Sequence, residues 1–330
     1  MNTHRLVTAL SIAGVLLLAG SVRAATPADA ARSIGDIGQQ TETEKFSKTV
    51  PLAKNGTFDL SNISGDIVIT GGPGEQVVIE AVKKGRTVEE LKEVTIEVTT
   101  SANRVEVRTR YPEGRRNVSV SVNYTITVPR AAAINVKSIS GDEKISGLDG
   151  EVHATTVSGD VSVASAAEVR AVKSVSGDVH VQTSKSTGSL DVSSVSGHVT
   201  LTDVKAGEIQ VNSVSGDVIC AEVAATRVAV KTVSGSVTFG GPLAKGGRYE
   251  LTSHSGDIEV FASDKVGIEV SASTFSGDIK SDLPLTSKPG ADAAPDRHGR
   301  TNQSVHGIFG DGSAVLQLTS FSGDVRIVKK

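Results

Sequence analysis

The tripeptide Ser-Gly-Asp, or a near copy, occurs ten times in this chain. Eight copies are exact, centred on Gly65, Gly141, Gly159, Gly177, Gly216, Gly256, Gly277 and Gly323. Two are variants, Ser196-Gly197-His198 and Ser234-Gly235-Ser236. From Gly141 to Gly277 the glycines fall 18, 18, 20, 19, 19, 21 and 21 residues apart. A near-constant period in strand-type sequence restricts the chain to a stacked array, with one turn of chain per repeat. The predicted fold is therefore all-β: a single-stranded β-solenoid (β-helix or β-roll) with coils of about 19 residues.

The repeat can be numbered from its Asp as position 0. Positions −8 and −6 are mostly apolar, as in Ile209 and Val211, Val228 and Val230, and Leu190 and Val192. Position −5 is mostly polar (Lys137, Thr155, Lys173), and position −4 is nearly always Ser or Thr (Ser138, Thr156, Ser174, Ser194). Positions +1 and +3 return to apolar, as in Val161 and Val163 or Val218 and Cys220. This period-two alternation, rich in β-branched residues, predicts strands with one buried face. The ten glycines, Gly197 and Gly235 included, are the structural turn residues, since only Gly takes positive φ without a Cβ clash. The flanking Ser and Asp are expected to cap each corner through local backbone groups. The −4 hydroxyls should form an internal row, each satisfied by backbone or by its neighbour one coil away. The second bend, as in Thr183–Gly188, varies in length and should absorb the 18-to-21 spread.

The flanks divide the chain further. Residues 1–24 read as a secretory signal: a weakly basic start at His4 and Arg5, an apolar core over Leu6–Ala19, and small residues before a cleavage site at Val22-Arg23-Ala24. Ser21 stands where a lipoprotein signal needs Cys, so no lipid anchor is expected. No later stretch is apolar over the length of a transmembrane helix. Residues 25–44 read as a flexible leader. Residues 45–130 form a β-rich head that caps the solenoid and holds the first repeat unit, with predicted antiparallel strands at 76–82, 94–100, 104–111 and 118–128 and one helical turn near 88–94. Residues 131–282 are the regular solenoid. Residues 283–307, with Pro284, Pro289 and Pro295, read as a disordered excursion. Residues 308–330 return to a terminal coil, where Lys329 and Lys330 should discourage edge pairing.

Charge and motif content narrow the function. Losing Arg5 and Arg23 with the signal takes the net charge from −3 to −5, which argues against non-specific nucleic-acid binding. Cys220 is the only cysteine, so no internal disulfide is possible, and position +3 places it in the core. His153, His180 and His198 show no metal-ligand spacing, and no nucleophile elbow or phosphate loop occurs. Two candidates remain, each with a plainer alternative. The Asp column would offer stacked carboxylates to a cation such as Ca²⁺, but His198 and Ser236 interrupt it, which favours the plainer reading that each Asp caps its own turn. Arg104, Arg108, Arg110, Arg115 and Arg116 would suit an anionic contact, but Glu106 and Glu113 among them suit a solvated hairpin face.

The run Phe46–Ala53, then Gly56–Ile69, then the recurring Ser-Val-Ser-Gly-Asp-Val, resembles a bacterial exported family of unknown function labelled "putative adhesin". The resemblance covers 44–330. It implies a β-solenoid at the cell envelope and carries no catalytic residues to transfer. The resulting expectation is an exported, non-enzymatic envelope or surface scaffold, in the periplasm or at the cell surface. It would take no cofactor and have an unidentified protein or polysaccharide partner, with self-association open. The alternatives are a β-helix enzyme acting on envelope polysaccharide and a self-assembling structural protein. The absence of Trp and the scarcity of Tyr weaken the polysaccharide enzyme.

Overall fold

The computed structural model describes residues 41–112, 119–263, 265–287 and 303–330. The expected signal, most of the leader, Arg115, Arg116 and residues 288–302 lie outside them. The described chain is nearly all strand, with one short α-helix over Val88–Glu93, capped by the Thr87 hydroxyl.

The repeating unit is a long strand, the glycine corner, a short strand and a second bend. Ala133–Ser140 leads through Gly141 into Glu143–Ser146, and Glu151–Ser158 leads through Gly159 into Val161–Ala164. Successive coils pair in parallel, long strand on long strand and short on short: Val152↔Ile134, Val161↔Glu143, Val161↔Val179. Alternation then sends one side chain in two into a continuous aliphatic core, and Ile209, Val211, Val218 and Cys220 show how one coil contributes four residues to it.

The corner glycines carry φ between +114° and +157°. A second constraint acts on them. At Gly177 a Cβ would lie 2.2 Å from the carbonyl oxygen of Gly159 one coil away, and the same clash recurs along the column. Glycine is thus required by both the turn and the stacking. The second bend is more regular than its lengths suggested. Gly147, Ser165, Thr183, Asp203 and Glu222, each five residues after position 0, all take left-handed φ between +46° and +69°.

The order of coils in space differs from their order in sequence at both ends. Arg248–Ser255 pairs with Ala314–Ser322, and that strand pairs on its other side with Ile268–Ser276. The segment expected to close the rod as its terminal coil is therefore inserted between two earlier coils, and the Gly277 coil is outermost. Nor do Lys329 and Lys330 guard the end. The free edge of Ile268–Ser276 is covered by the antiparallel strand Gln303–Phe309, which pairs in turn with Thr286–Ser287. So part of the expected excursion is ordered, because an outermost strand exposes unpaired backbone that must be covered.

The head repeats this arrangement. Arg104–Arg110 and Ser121–Pro129, expected as antiparallel strands, do pair antiparallel on one side, and on the other they pair in parallel with Thr57–Ser61 and Ile67–Gly72. They form an outermost coil stacked on the Gly65 coil, whose other side carries the Gly141 coil. Antiparallel cover comes from Thr95–Ser101 on Arg104–Arg110 and from Gln76–Gly85 on Ser121–Pro129. Glu42–Pro51 pairs along the whole of Gln76–Gly85, so the leader ends before Glu42 rather than at residue 44.

Candidate functional site

The glycine corner organises three parallel columns of side chains along one edge of the rod. The first is buried. At position −4, Ser174 donates to Gly159 O at 3.1 Å, Ser194 to Gly177 O at 3.0 Å, Ser253 to Gly235 O at 2.9 Å and Thr274 to Gly323 O at 2.9 Å. Each hydroxyl thus ties its coil to the glycine carbonyl of the coil before it in space. Asn62 takes this position in the first repeat, and its amide donates to Ser64 O, Gly65 O and Val122 O. Since Asn62 holds Gly65 O, the next hydroxyl in line, Ser138, is left buried without a partner.

The second column is position 0. The carboxylates do not cap their own turns, as expected, but the neighbouring coil. Asp160 N–H donates to Asp142 Oδ1 at 3.0 Å, Asp178 N–H to Asp160 Oδ1 at 2.8 Å, and His198 N–H to Asp178 Oδ1 at 2.7 Å. The reason is geometric: with coils stacked in register, the amide one coil away faces the carboxylate. His198 does not break this ladder. Its Nδ1 accepts from Asp217 N–H at 3.1 Å, which requires the ring proton on Nε2. Asp217 Oδ1 then accepts from Ser236 N–H at 2.8 Å. Asp324 N–H donates to Asp257 Oδ1 and Asp278 N–H to Asp324 Oδ1, again in the spatial order of the coils. The hydrogen bond from Asp278 N–H, followed by Arg326, holds the Asp324 carboxyl below the usual range.

The third column was missed in the sequence. Position −3 points outward, yet holds Ile63, Ile139, Val157, Val175, Val195, Val214, Val233, Phe321 and Phe275, all between 37% and 51% exposed. In spatial order they make a straight apolar ladder along the rod with rungs about 4.8 Å apart. His254 fills the one remaining rung. Its ring stacks on Phe321 at 4.8 Å, and Phe321 on Phe275 at 4.8 Å, with interplanar angles of 12° and 4°. Cross-coil pairing of such side chains stabilises the sheet modestly. A continuous exposed apolar stripe of this length is also what interaction surfaces look like. The signal was legible in Ser-Val-Ser-Gly-Asp: an apolar residue between two polar ones, out of phase with the buried set.

The other predicted groups do not converge. Arg104 pairs with Asp59 at 2.6 Å, Arg108 with Glu106 at 2.5 Å and Arg110 with Glu97 at 3.0 Å. Arg170 bridges Glu151 at 3.3 Å and Glu168 at 3.2 Å, with His153 4.0 Å from Glu151. Acid, base and guanidinium on adjacent coils suggest a catalytic cluster. Desolvation alone would raise the Glu168 carboxyl, but hydrogen bonds from Thr187 and Ser186 together with Arg170 lower it, which favours an ion pair over proton donation. Among the described residues no three His, Cys, Asp or Glu side chains gather as a metal site. Burial pushes the Cys220 thiol up to about 12, so it behaves as a core residue. One buried acid stands apart. Glu143, at an apolar position between Ile67 and Val161, is fully buried with neither carboxyl oxygen hydrogen-bonded, and burial raises it from 4.5 to about 7.

Residues 55–328, the range that carries the glycine column, match the Toastrack DUF4097 family. The chain belongs to that family. Among solved structures, this Toastrack chain is similar to a "putative adhesin" from Bacteroides fragilis, at 15% identity over 86% of this chain and 97% of the other, with a TM-score of 0.43. It is similar also to a "putative adhesin" from Parabacteroides distasonis, at 12% identity over 86% and 97%, TM-score 0.42. A third, a "putative lipid binding protein" from the same species, matches at 9% identity over 86% and 96%, TM-score 0.43. No curated protein matches the chain.

Proposed function

We propose that this Toastrack chain is an exported, non-enzymatic binding scaffold of the bacterial envelope: a stiff β-solenoid of about 19-residue coils that engages a partner along its exposed apolar ladder. The observation that carries this reading is the ladder itself. Nine large apolar side chains stand outward in a line, although the alternation that builds the core assigns those positions to solvent. Solvated strand faces elsewhere on the rod carry crossed ion pairs such as Lys173–Asp191 and Lys231–Glu250. The ladder has no such pairs and presents a uniform strip to whatever lies along it. The acidic column beside it disfavours nucleic acid as that partner.

The test is capture from envelope fractions with the wild-type rod and with V175S/V195S/V214S, which removes three central rungs without touching the core. Circular dichroism and melting first establish that the variant is folded. Loss of the captured protein or polysaccharide in the variant supports the ladder as the binding edge. An identical captured set overturns it.

A further inference from the structure

At the head end, the ladder runs into a cavity of about 330 Å³ whose wall includes Ile63, Ile139, Ser61, Lys137, Arg108 and Arg110. Its origin lies in the local pairing. Thr57–Ser61 runs beside Arg104–Arg110 only as far as Ser61↔Arg108. Beyond that point Asn62 turns inward to hold Ser64 O, Gly65 O and Val122 O, while its Oδ1 accepts from Thr109 at 2.9 Å. The two strands separate there, and the gap stays open between Ile63 and Arg110.

The register fixes what faces this gap. One row across three adjacent strands reads Lys137, Ser61, Arg108. With strands about 4.8 Å apart, the two cations stand about 10 Å apart and bracket the serine hydroxyl. Arg108 and Arg110 share their charge with Glu106 and Glu97. Lys137 has no acid partner among the described residues, so the cluster keeps one uncompensated positive charge. Two residues further along the same outward face the row becomes Ile139 and Ile63, and the apolar ladder leads away from it through Val157 and Val175. The Asp column lies on the far side of the ladder, around the glycine corner. A cationic bracket at one end of an apolar strip is complementary to a molecule with an anionic head and an aliphatic tail. It does not suit a whole anionic bilayer, which the acidic column would repel along the length of the rod.

We propose that this cavity binds a single-chain acidic amphiphile. Its carboxylate or phosphate sits over Ser61 between Lys137 and Arg108, and its chain lies on Ile63, Ile139 and the following rungs. The assignment rests on the reading of the ladder as a binding edge and names what its head end accepts.

The test is equilibrium binding of the full chain to a fluorescent fatty acid below its micellar concentration, with lysophosphatidate, lysophosphatidylcholine and inorganic phosphate as competitors. Fatty acid and lysophosphatidate should both bind; whichever binds tighter identifies the head as carboxylate or phosphate. The zwitterionic lipid should compete more weakly. K137E should weaken binding by about tenfold, the scale of one charge-assisted contact, and I139S should weaken it as well. F275S, at the opposite end, should leave it unchanged. No binding by the wild type, equal binding by K137E, or competition by inorganic phosphate as strong as that of lysophosphatidate would each overturn the proposal. These outcomes are separable from failure of the ladder itself, which is read from V175S/V195S/V214S with the K137 cavity intact.

Discussion

Replacing Glu143 by Gln should stabilise the protein in alkaline solution and leave it nearly unchanged in acid. In its column Glu143 lies between two aliphatic side chains, Ile67 on one side and Val161 on the other, and its carboxyl reaches no donor. Burial therefore penalises the charged form and raises the carboxyl from 4.5 to about 7. The folded state then holds its proton more tightly than the unfolded chain between those two values. Unfolding stability falls as pH rises through that window, because the native state binds more protons than the unfolded state there. Below 4.5 both states are protonated and the penalty vanishes. Above 7 it is complete, at about 3 kcal/mol for a shift of this size. Glutamine keeps the shape and the polar burial but has no proton to lose. The difference between E143Q and wild type should grow from near zero at about pH 4.5 to about 3 kcal/mol at pH 8. In melting temperature this is about 5 °C for a chain of this length. Thermal and urea unfolding followed by far-ultraviolet circular dichroism from pH 4.5 to 8.5 would measure it. A difference that stays flat across this range would refute the argument, because it would mean that Glu143 is solvated or paired in the native state.

Two further perturbations test the corner. G177V should cost about 3 kcal/mol or more, since it adds positive-φ strain to a Cβ placed 2.2 Å from Gly159 O. D178N keeps an acceptor for His198 N–H and should cost under about 1 kcal/mol. Equal losses of melting temperature would show that the glycine is not confined as described. H198D should preserve the ladder, because a carboxylate can take the Asp217 N–H, whereas H198A leaves that donor without its partner and should cost about 1 kcal/mol. Matching melting curves for the two would show that Nδ1 contributes nothing.

The sequence made the coil legible because its two constraints are local. Gly177 must turn, and Val172 and Val179 must face inward, whatever the rest of the chain does. The same logic located the −4 hydroxyls and placed Cys220 in the core. What failed was non-local. Nothing near Ser322 says which neighbours its strand will choose. The strand after Gly256 pairs with Val325–Lys329 of the second repeat on, 67 residues later, not with the next repeat. The Asp column was read within one turn, whereas its hydrogen bonds cross to an amide 18 to 20 residues away in the regular stretch. The apolar ladder was visible as letters and passed over, because one valine between serines looks like an ordinary exposed residue. Only the register, by stacking Val157 on Val175 on Val195, makes it a continuous surface.

The rearranged coil order bears on how such a rod can serve as a scaffold. A linear stack of repeats contacts only nearest neighbours, so its natural failure is fraying from the ends inward. Among the described residues, neither outermost coil holds the first or the last strand in sequence. At one end Arg104–Arg110 and Ser121–Pro129 lie outside the Gly65 coil that precedes them in sequence. At the other the Gly277 coil lies outside the Gly323 coil that follows it. The C-terminal strand Val325–Lys329 is held between two strands, Ile258–Ala262 and Ile279–Ser281, so it cannot peel away without separating the last two coils. The outermost long strands at both ends are also overlaid by antiparallel strands, Gln303–Phe309 on Ile268–Ser276 and Thr95–Ser101 on Arg104–Arg110. Along one side of the rod the described residues place a line of exposed apolar side chains that only the His254 rung interrupts, with the aromatic stack of His254, Phe321 and Phe275 at one end and the cationic cavity at the other.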